Sequence, residues 1–445
     1  MKPLSIKHTG EYALENFCYA FPYTNYSIRN LNRWAILELI QFTPGGISRV
    51  ELARRIDLTR STVSTIVTDL LQKKLVREAA SGPTTGGRRP ILLELNPERG
   101  YVLGIDMGAT HLEMVVTDFL ARVISEVEIP FDVNQGPEAC LQALDGHTRE
   151  LLDRTGLGFA DIISIGLGVP GPVVSEAGIV SAPPIMPGWD GYPIRDDLQR
   201  RWGPPISMSN DAELGALGEW AFGAGHTQRH MAYIKVGSGV GAGLILNGRI
   251  YRGAAGLAGE IGHLTIQENG PLCTCGNQGC LEALSGGAAI ARQAVEAVSS
   301  GERTQLSKIQ PHESISAQHV ANAARRGDLV AQRIIAQAGE YLGIAIASVI
   351  NFSNPNVVVI GGGVAQMGDL LLEPIRRVVQ ERSLSPSAKS VSITAAVLGR
   401  RSSVLGAIVQ AVNSALYEFT EGNLATQGGA KEQKEEEKEP AFESS

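Results

Sequence analysis

The chain has 445 residues, 43% of them hydrophobic and 19% charged, with five cysteines and a formal charge of −7. That length supports two or three domains with proper cores, the composition excludes a disordered chain, and five irregularly spaced cysteines exclude a disulfide framework. The charge is uneven: residues 1–95 hold thirteen Lys or Arg against eight Asp or Glu, leaving 26 against 38 for the remainder. A basic module fused to an acidic body is the balance expected of a DNA reader joined to a small-molecule domain. No charged-then-apolar leader stands at Met1 and no run of about 18 apolar residues is evident, so a reduced, cytoplasmic protein without a membrane partner is expected.

Residues 1–30, with "FCYAFPYTNYSIRN", show no clear period and are left as an arm of unknown role. From 31 to 96 the pattern is that of a winged helix-turn-helix. Trp34, Ile36, Leu37, Leu39 and Ile40 recur at helical spacing, and "TPGG" stops that helix. Ser48 with Glu51 predicts a capping box opening a short helix, Arg49 to Arg55. Asp57-Leu58 makes a turn, and Thr59 caps a longer helix to about Lys74, with Val63, Ile66, Val67, Leu70 and Leu71 on its buried face. Arg60, Ser61, Thr62, Ser64 and Thr65 are left at its exposed start, where short polar side chains and one arginine suit a major groove. Two strand-like runs then flank a glycine-rich basic tip, a wing carrying Arg88 and Arg89.

From Tyr101 the texture becomes apolar strands ending in glycine loops, separated by helical stretches such as 141–154 and 331–350, which predicts an α/β body over 101–420. No short repeat is visible. Asp106-Met107-Gly108-Ala109-Thr110, Gly237-Ser238-Gly239 and Gly361-Gly362-Gly363 are turns at which backbone amides could approach phosphates or a flat ring. Asn210-Asp211 places a carboxylate at a strand end. Residues 422–445 read as a disordered acidic tail. "CTCGNQGC" gathers Cys273, Cys275 and Cys280, with His263 ten residues upstream; one imidazole and three thiolates make a closed tetrahedral set, so a structural zinc is expected. A redox pair is the alternative.

These pieces together resemble the ROK family, which unites bacterial sugar kinases with sugar-responsive repressors. The resemblance rests on the GRRP wing, Asp-x-Gly-x-Thr at Asp106, "GVPGPV" at Gly168, Asn210-Asp211 and "GEIGHLTIQENGPLCTCGNQGCLE" from Gly259 to Glu282. It implies an actin-like (ribonuclease H-like) two-lobed body, with Asn210, Asp211, Glu260, His263 and Glu282 gripping a sugar or sugar phosphate. It further implies ATP and Mg2+ at Asp106, Gly108, Thr110, Gly237, Ser238, Gly239 and Gly362, with Asp211 as general base if the protein is a kinase. Dimers or tetramers are implied too. The chain departs from the kinases at Ala109 and His111, at Ser238 in place of Thr, and at Pro184. The basic amino-terminal module favours a sugar-responsive repressor that binds double-stranded operator DNA. An ATP-dependent sugar kinase carrying a DNA-binding domain is the alternative.

Overall fold

The structure, a computed structural model, describes residues 28–81, 89–226 and 228–421. Residues 1–27 of the arm, the wing tip with Arg88, and the acidic tail lie outside them.

The head is built from α1 (Ile28–Gln41), β1 (Ile47–Ser48), α2 (Arg49–Arg55), α3 (Arg60–Gln72), β2 (Val76–Ser81) and β3 (Ile91–Leu95). Its strands form an antiparallel sheet in the order β1-β3-β2. Ser48 Oγ accepts from the Glu51 N–H at 3.2 Å, as a helix cap should. The return half of the expected box is not made. Glu51 turns instead to Arg54 and Arg55, at 2.6 and 2.7 Å, because two guanidiniums one turn along make stronger, charge-assisted bonds than a neutral amide. Asp57 takes a left-handed φ of 53° between the helices, and Thr59 Oγ1 accepts from the Thr62 N–H to start α3. On α3, Val63, Ile66, Val67 and Leu70 are buried, with Leu71 at the edge of the core.

The body begins with β4 (Tyr101–Met107), β5 (His111–Asp118), β6 (Val123–Pro130), α4 (Pro137–Asp153), β7 (Ile162–Val169), β8 (Val173–Val174), β9 (Ile179–Val180), α5 (Ile194–Trp202) and β10 (Ile206–Asn210). Its first sheet has the order β10-β7-β4-β5-β6. Then follow α6 (Asp211–Phe222), β11 (Met231–Val236), β12 (Val240–Leu246), β13 (Arg249–Ile250), α7 (Leu281–Ser285), α8 (Gly287–Ser299), α9 (Ala317–Arg325) and α10 (Leu329–Ser353). The chain closes with β14 (Val357–Gly361), α11 (Asp369–Arg382), α12 (Ser385–Ser390), β15 (Ser392–Ala395) and α13 (Ser402–Glu421). The second sheet runs β13-β12-β11-β14-β15.

Both sheets follow one plan. Three antiparallel strands form a meander, and two further strands add in parallel to the first of them. The body is therefore one architecture used twice, the actin-like pair of lobes. β4 and β14 are buried on both faces, as parallel strands covered by helices must be. Among the described residues α10 is the one helix long and apolar enough to cross a membrane, with a hydropathy of 1.4, and 61% of its most apolar window is buried. It is the core helix of the second lobe, with Ile335, Ala338, Leu342 and Ile346 fully buried.

α13 ties the parts together. It lies against α6, β4 and β7, and the approach is too close for side chains. A Cβ on Gly166 would fall 2.0 Å from Ala407 O, and one on Gly406 would fall 1.8 Å from Leu214 O. Farther along, Ile408, Ala411, Val412, Ala415 and Leu416 enter the same core as Trp34, Leu37, Val67 and Leu93 of the head. Tyr417 stacks on Trp34 at 5.9 Å, and Phe419 meets Phe119 edge-on at 6.4 Å. The head is thus completed by the last helix among the described residues.

Leu416 is 1% exposed, so Leu416→Ala should cost about 2–5 kcal/mol. Hydrogen exchange read by mass spectrometry should show the loss spreading through α1, α2 and α3. Exchange raised in α13 alone would mean the head has a core of its own.

Candidate functional site

The loops that end β4, β10, β11 and β14 converge between the lobes. There Gly108, Thr110, Asn210, Asp211, Gly237, Ser238, Gly239, Glu260, His263, Glu282 and Gly362 line one cavity of about 590 Å³. All were singled out from sequence. Asp106, singled out with them, stands behind the wall with its side chain 1% exposed. Gly362 has φ +84°, and a Cβ there would lie 2.4 Å from Val236 O, so only glycine fits that turn.

Asn210 and Asp211 sit where β10 becomes α6. Asn210 Oδ1 caps the helix, accepting from the Ala212 and Glu213 N–H groups at 2.8 and 3.4 Å, while its Nδ2 donates to Gly171 O at 2.9 Å. Its amide therefore serves chiefly to fix the strand-to-helix turn. Asp211 is the first residue of that helix, where the macrodipole favours a carboxylate.

Glu260 and Glu282 are held by the segment between them. Glu260 precedes a single 3-10 turn, Ile261–His263, and Cys280 precedes α7, which starts one residue before Glu282. His263 Nδ1 lies 3.7 Å from Cys273 Sγ, Cys275 Sγ lies 3.7 Å from Cys280 Sγ, and the four donor atoms fall within 4.8 Å of one another. Tetrahedral ligands at about 2.0–2.3 Å from a metal stand about 3.3–3.8 Å apart, so this quartet can hold a metal ion. At 3.7 Å the sulfurs are far beyond disulfide length. Each carboxylate is thus within three residues of a ligand. Glu282 Oε2 already accepts from the Val240 N–H at 3.0 Å. Burial pushes the Glu260 carboxyl above its usual range, and Asp211, Glu282 and Glu213 add to it against the opposing pull of His263.

Lys235, on β11, was not foreseen. Its Nζ donates to Asp211 Oδ2 at 2.9 Å and to Ser403 Oγ at 3.1 Å, and lies 3.5 Å from Asp106 Oδ2. Burial alone would lower the ammonium; Asp106 and Asp211 outweigh it and hold the pKa above its ordinary value. Asp106 is buried, which alone would raise its carboxyl, yet Lys235 and His111 together depress it. A signal was available: a lysine near the end of the apolar strand "MAYIKV" needs a buried partner. A row of carboxylates also crosses the first sheet, since Asp106 pairs in register with Glu113 and Glu113 with Glu128. Arg400 pairs with Glu128 and Arg401 with Glu126 at its edge.

On the head, Arg60, Ser61, Thr65 and Arg89 are exposed, and Thr62 and Ser64 half-buried. Thr59 Oγ1 contacts the hydroxyls of Ser61 and Thr62 at 2.9 and 2.8 Å, so those two begin in a local network at the start of α3. Arg88 lies outside the described residues.

Comparison with known proteins places these features. Residues 102–413 match the ROK family model, and residues 29–84 match that of the MarR family. The chain is 32% identical to the xylose repressor of Caldicellulosiruptor bescii over 389 residues, 87% of this chain and 97% of that one. A ROK family transcriptional regulator homologous to the Escherichia coli MLC protein superposes with a TM-score of 0.74 and 28% identity, covering 88% of this chain and 97% of its own. A ROK family glucokinase from Streptomyces griseus, solved with glucose and AMPPNP, superposes at 0.63 with 28% identity, covering 70% and 99%.

Elemental analysis of the purified protein should find about one metal ion per chain at the His263–Cys280 quartet, and Cys275→Ala should lose it. Metal retained in that variant would place the ion elsewhere.

Glu113 yields a pH prediction. Burial first, then Asp106 and Glu128, push its carboxyl up to about 7. A raised carboxyl binds a proton more tightly folded than unfolded, so stability falls as pH rises from the ordinary value of 4.5 to about 7. The full cost above that window is about 3 kcal/mol at 1.36 kcal/mol per unit. Glu113→Gln should therefore stabilise the protein in urea at pH 8 and leave it nearly unchanged at pH 4.5. Equal effects at both would show that Glu113 is ionised throughout.

Proposed function

The chain belongs to the ROK family, and we propose that it is a transcriptional repressor whose affinity for operator DNA is set by a small sugar bound between its two lobes. The observation that carries this reading is α13, which touches the cleft at one end and completes the DNA-binding head at the other. Ser403 Oγ donates to Asp211 O at 2.8 Å and receives Lys235 at its amino end. Leu416 and Tyr417 lie in the head's core. A change in the partners of Asp211 is felt at the start of a rigid helix and delivered to α1 and α3.

Sugar recognition falls to Asp211, Glu260 and Glu282, with Asn210 and His263 beside them. Ionised carboxylates accept from adjacent hydroxyls in charge-assisted bonds. The carboxylates face the cavity because the metal clip holds their loops; three thiols and an imidazole with no open position favour structural zinc. On the head, Arg60, Ser61, Thr62, Ser64 and Thr65 meet the major groove, and Arg88 and Arg89 of the wing meet the backbone. One recognition helix covers a few base pairs, so the working form is a homodimer or homotetramer presenting two heads one DNA turn apart. Sugar binding favours an arrangement in which that spacing is lost. DNA as the partner makes the cytoplasm the working compartment.

The test uses genomic fragments captured by the protein itself and a panel of pentoses, hexoses and amino sugars, with DNA binding read by anisotropy. One class of sugar should release the DNA, and light scattering should give at least a dimer. Arg60→Ala should weaken DNA binding and lower the salt slope by about one if it contacts a phosphate. Glu260→Gln should cost about 1–3 kcal/mol of sugar binding and spare DNA affinity in the absence of sugar. DNA binding indifferent to every sugar would overturn the reading.

A further inference from the structure

The duplication of the body explains where Lys235 stands. Lys235 lies two residues before the Gly237 turn, as Asp106 lies two before the Gly108 turn. On the adjoining parallel strand Lys235 is paired with Gly361, and Asp106 with Gly168. The two residues are equivalent positions of the two lobes, and they meet at 3.5 Å. Beside them the His111 ring covers Gly108, where a Cβ would fall 2.3 Å from it, and His111 Nε2 lies 3.8 Å from Asp106 Oδ2.

A nucleotide's terminal phosphates are bound with a divalent cation, and that cation takes oxygen ligands, carboxylates above all. Asp106 and Asp211 are the carboxylates at this end of the cleft, and an ammonium already stands between them. A second cation cannot join at a few ångströms without expelling the lysine. One positive and two negative charges also leave the spot net negative, which repels phosphate. Lys235 already donates to Asp211 and Ser403 and stands 3.5 Å from Asp106, so it would serve as a phosphate ligand only by giving up these partners. The nucleotide end of the cleft therefore does not fit a metal–phosphate group.

We propose that Lys235 is a tethered cation that replaces the metal–nucleotide pair, so that the cleft takes a sugar alone and signals without phosphoryl transfer. This rests on the sugar-repressor reading for the sugar, but the exclusion of nucleotide is tested without sugar or DNA, so either can fail independently.

The experiment titrates the full chain with Mg2+ and AMPPNP by calorimetry. Wild type should not bind at millimolar concentration. Lys235→Met keeps the length and removes the charge; it should gain about tenfold or more in affinity, and only while Mg2+ is present. Lys235→Arg should exclude the nucleotide as wild type does. Should the methionine variant be unstable because two carboxylates have lost their counter-ion, Mg2+ alone should raise its melting temperature and leave wild type unmoved. Wild type that binds Mg2+–AMPPNP, a stable methionine variant that gains nothing, or an unstable one that Mg2+ does not rescue would each overturn the proposal.

Discussion

Glu219, fully buried on α6, accepts four hydrogen bonds: from the N–H groups of Ala224, Val397 and Leu398, and from Ser402 Oγ. A buried carboxylate is tolerated only when so fully engaged. These bonds fix the chain where it leaves the second sheet and enters α13. The helix that follows is about 30 Å long at 1.5 Å per residue, with glycine contacts along its flank that leave no clearance. Close-packed surfaces of this kind shift as units instead of deforming. Whatever alters the position of Ser402 and Ser403 alters the whole helix, and the head moves with it.

The cleft is organised by the same economy of local anchors. The His263–Cys280 quartet and its small apolar cluster of Cys273, Cys280 and Ala283, with Cys275 beside them, brace Glu260 and Glu282 from outside, while Ile261 and Leu281 anchor the ends of the loop in the core of the second lobe. Opposite it, Asp106, Lys235 and Asp211 make an ion-paired group shared between lobes. Two loops at the hairpin turns of equivalent strands close the remaining side. The duplicated architecture thus supplies two similar rims, and the chain has given them opposite charge.

Much of this was legible in sequence wherever the determining contacts are local. The head's helices follow from apolar spacing and from caps only three residues long, and α2 spans the expected Arg49–Arg55. The His263–Cys280 quartet was legible because its four donor residues fall within eighteen residues. Glu51 departed from its expected role because competing arginines lie one turn along, a choice that spacing alone does not rank. The triad of Asp106, Lys235 and Asp211 was hidden for a different reason: its members are brought together by strand topology that repeats while the sequence does not. Glu219 was hidden likewise, since its partners Val397, Leu398 and Ser402 come from far along the chain. The apolar character of α10 was masked by Gln332, Arg333, Gln337 and Glu340 along its first half.

The shared core of head and last helix also bears on how the protein is made. Synthesis proceeds from the amino terminus, and domains ordinarily fold as they emerge. Here α1, α2 and α3 emerge early, yet Trp34, Leu37 and Val67 find Ile408, Val412 and Leu416 only after both lobes have been made. A chain stopped before Ile408 therefore leaves the head's core open on the side that α13 covers. Completion of the DNA-binding head is tied in this way to synthesis of both lobes.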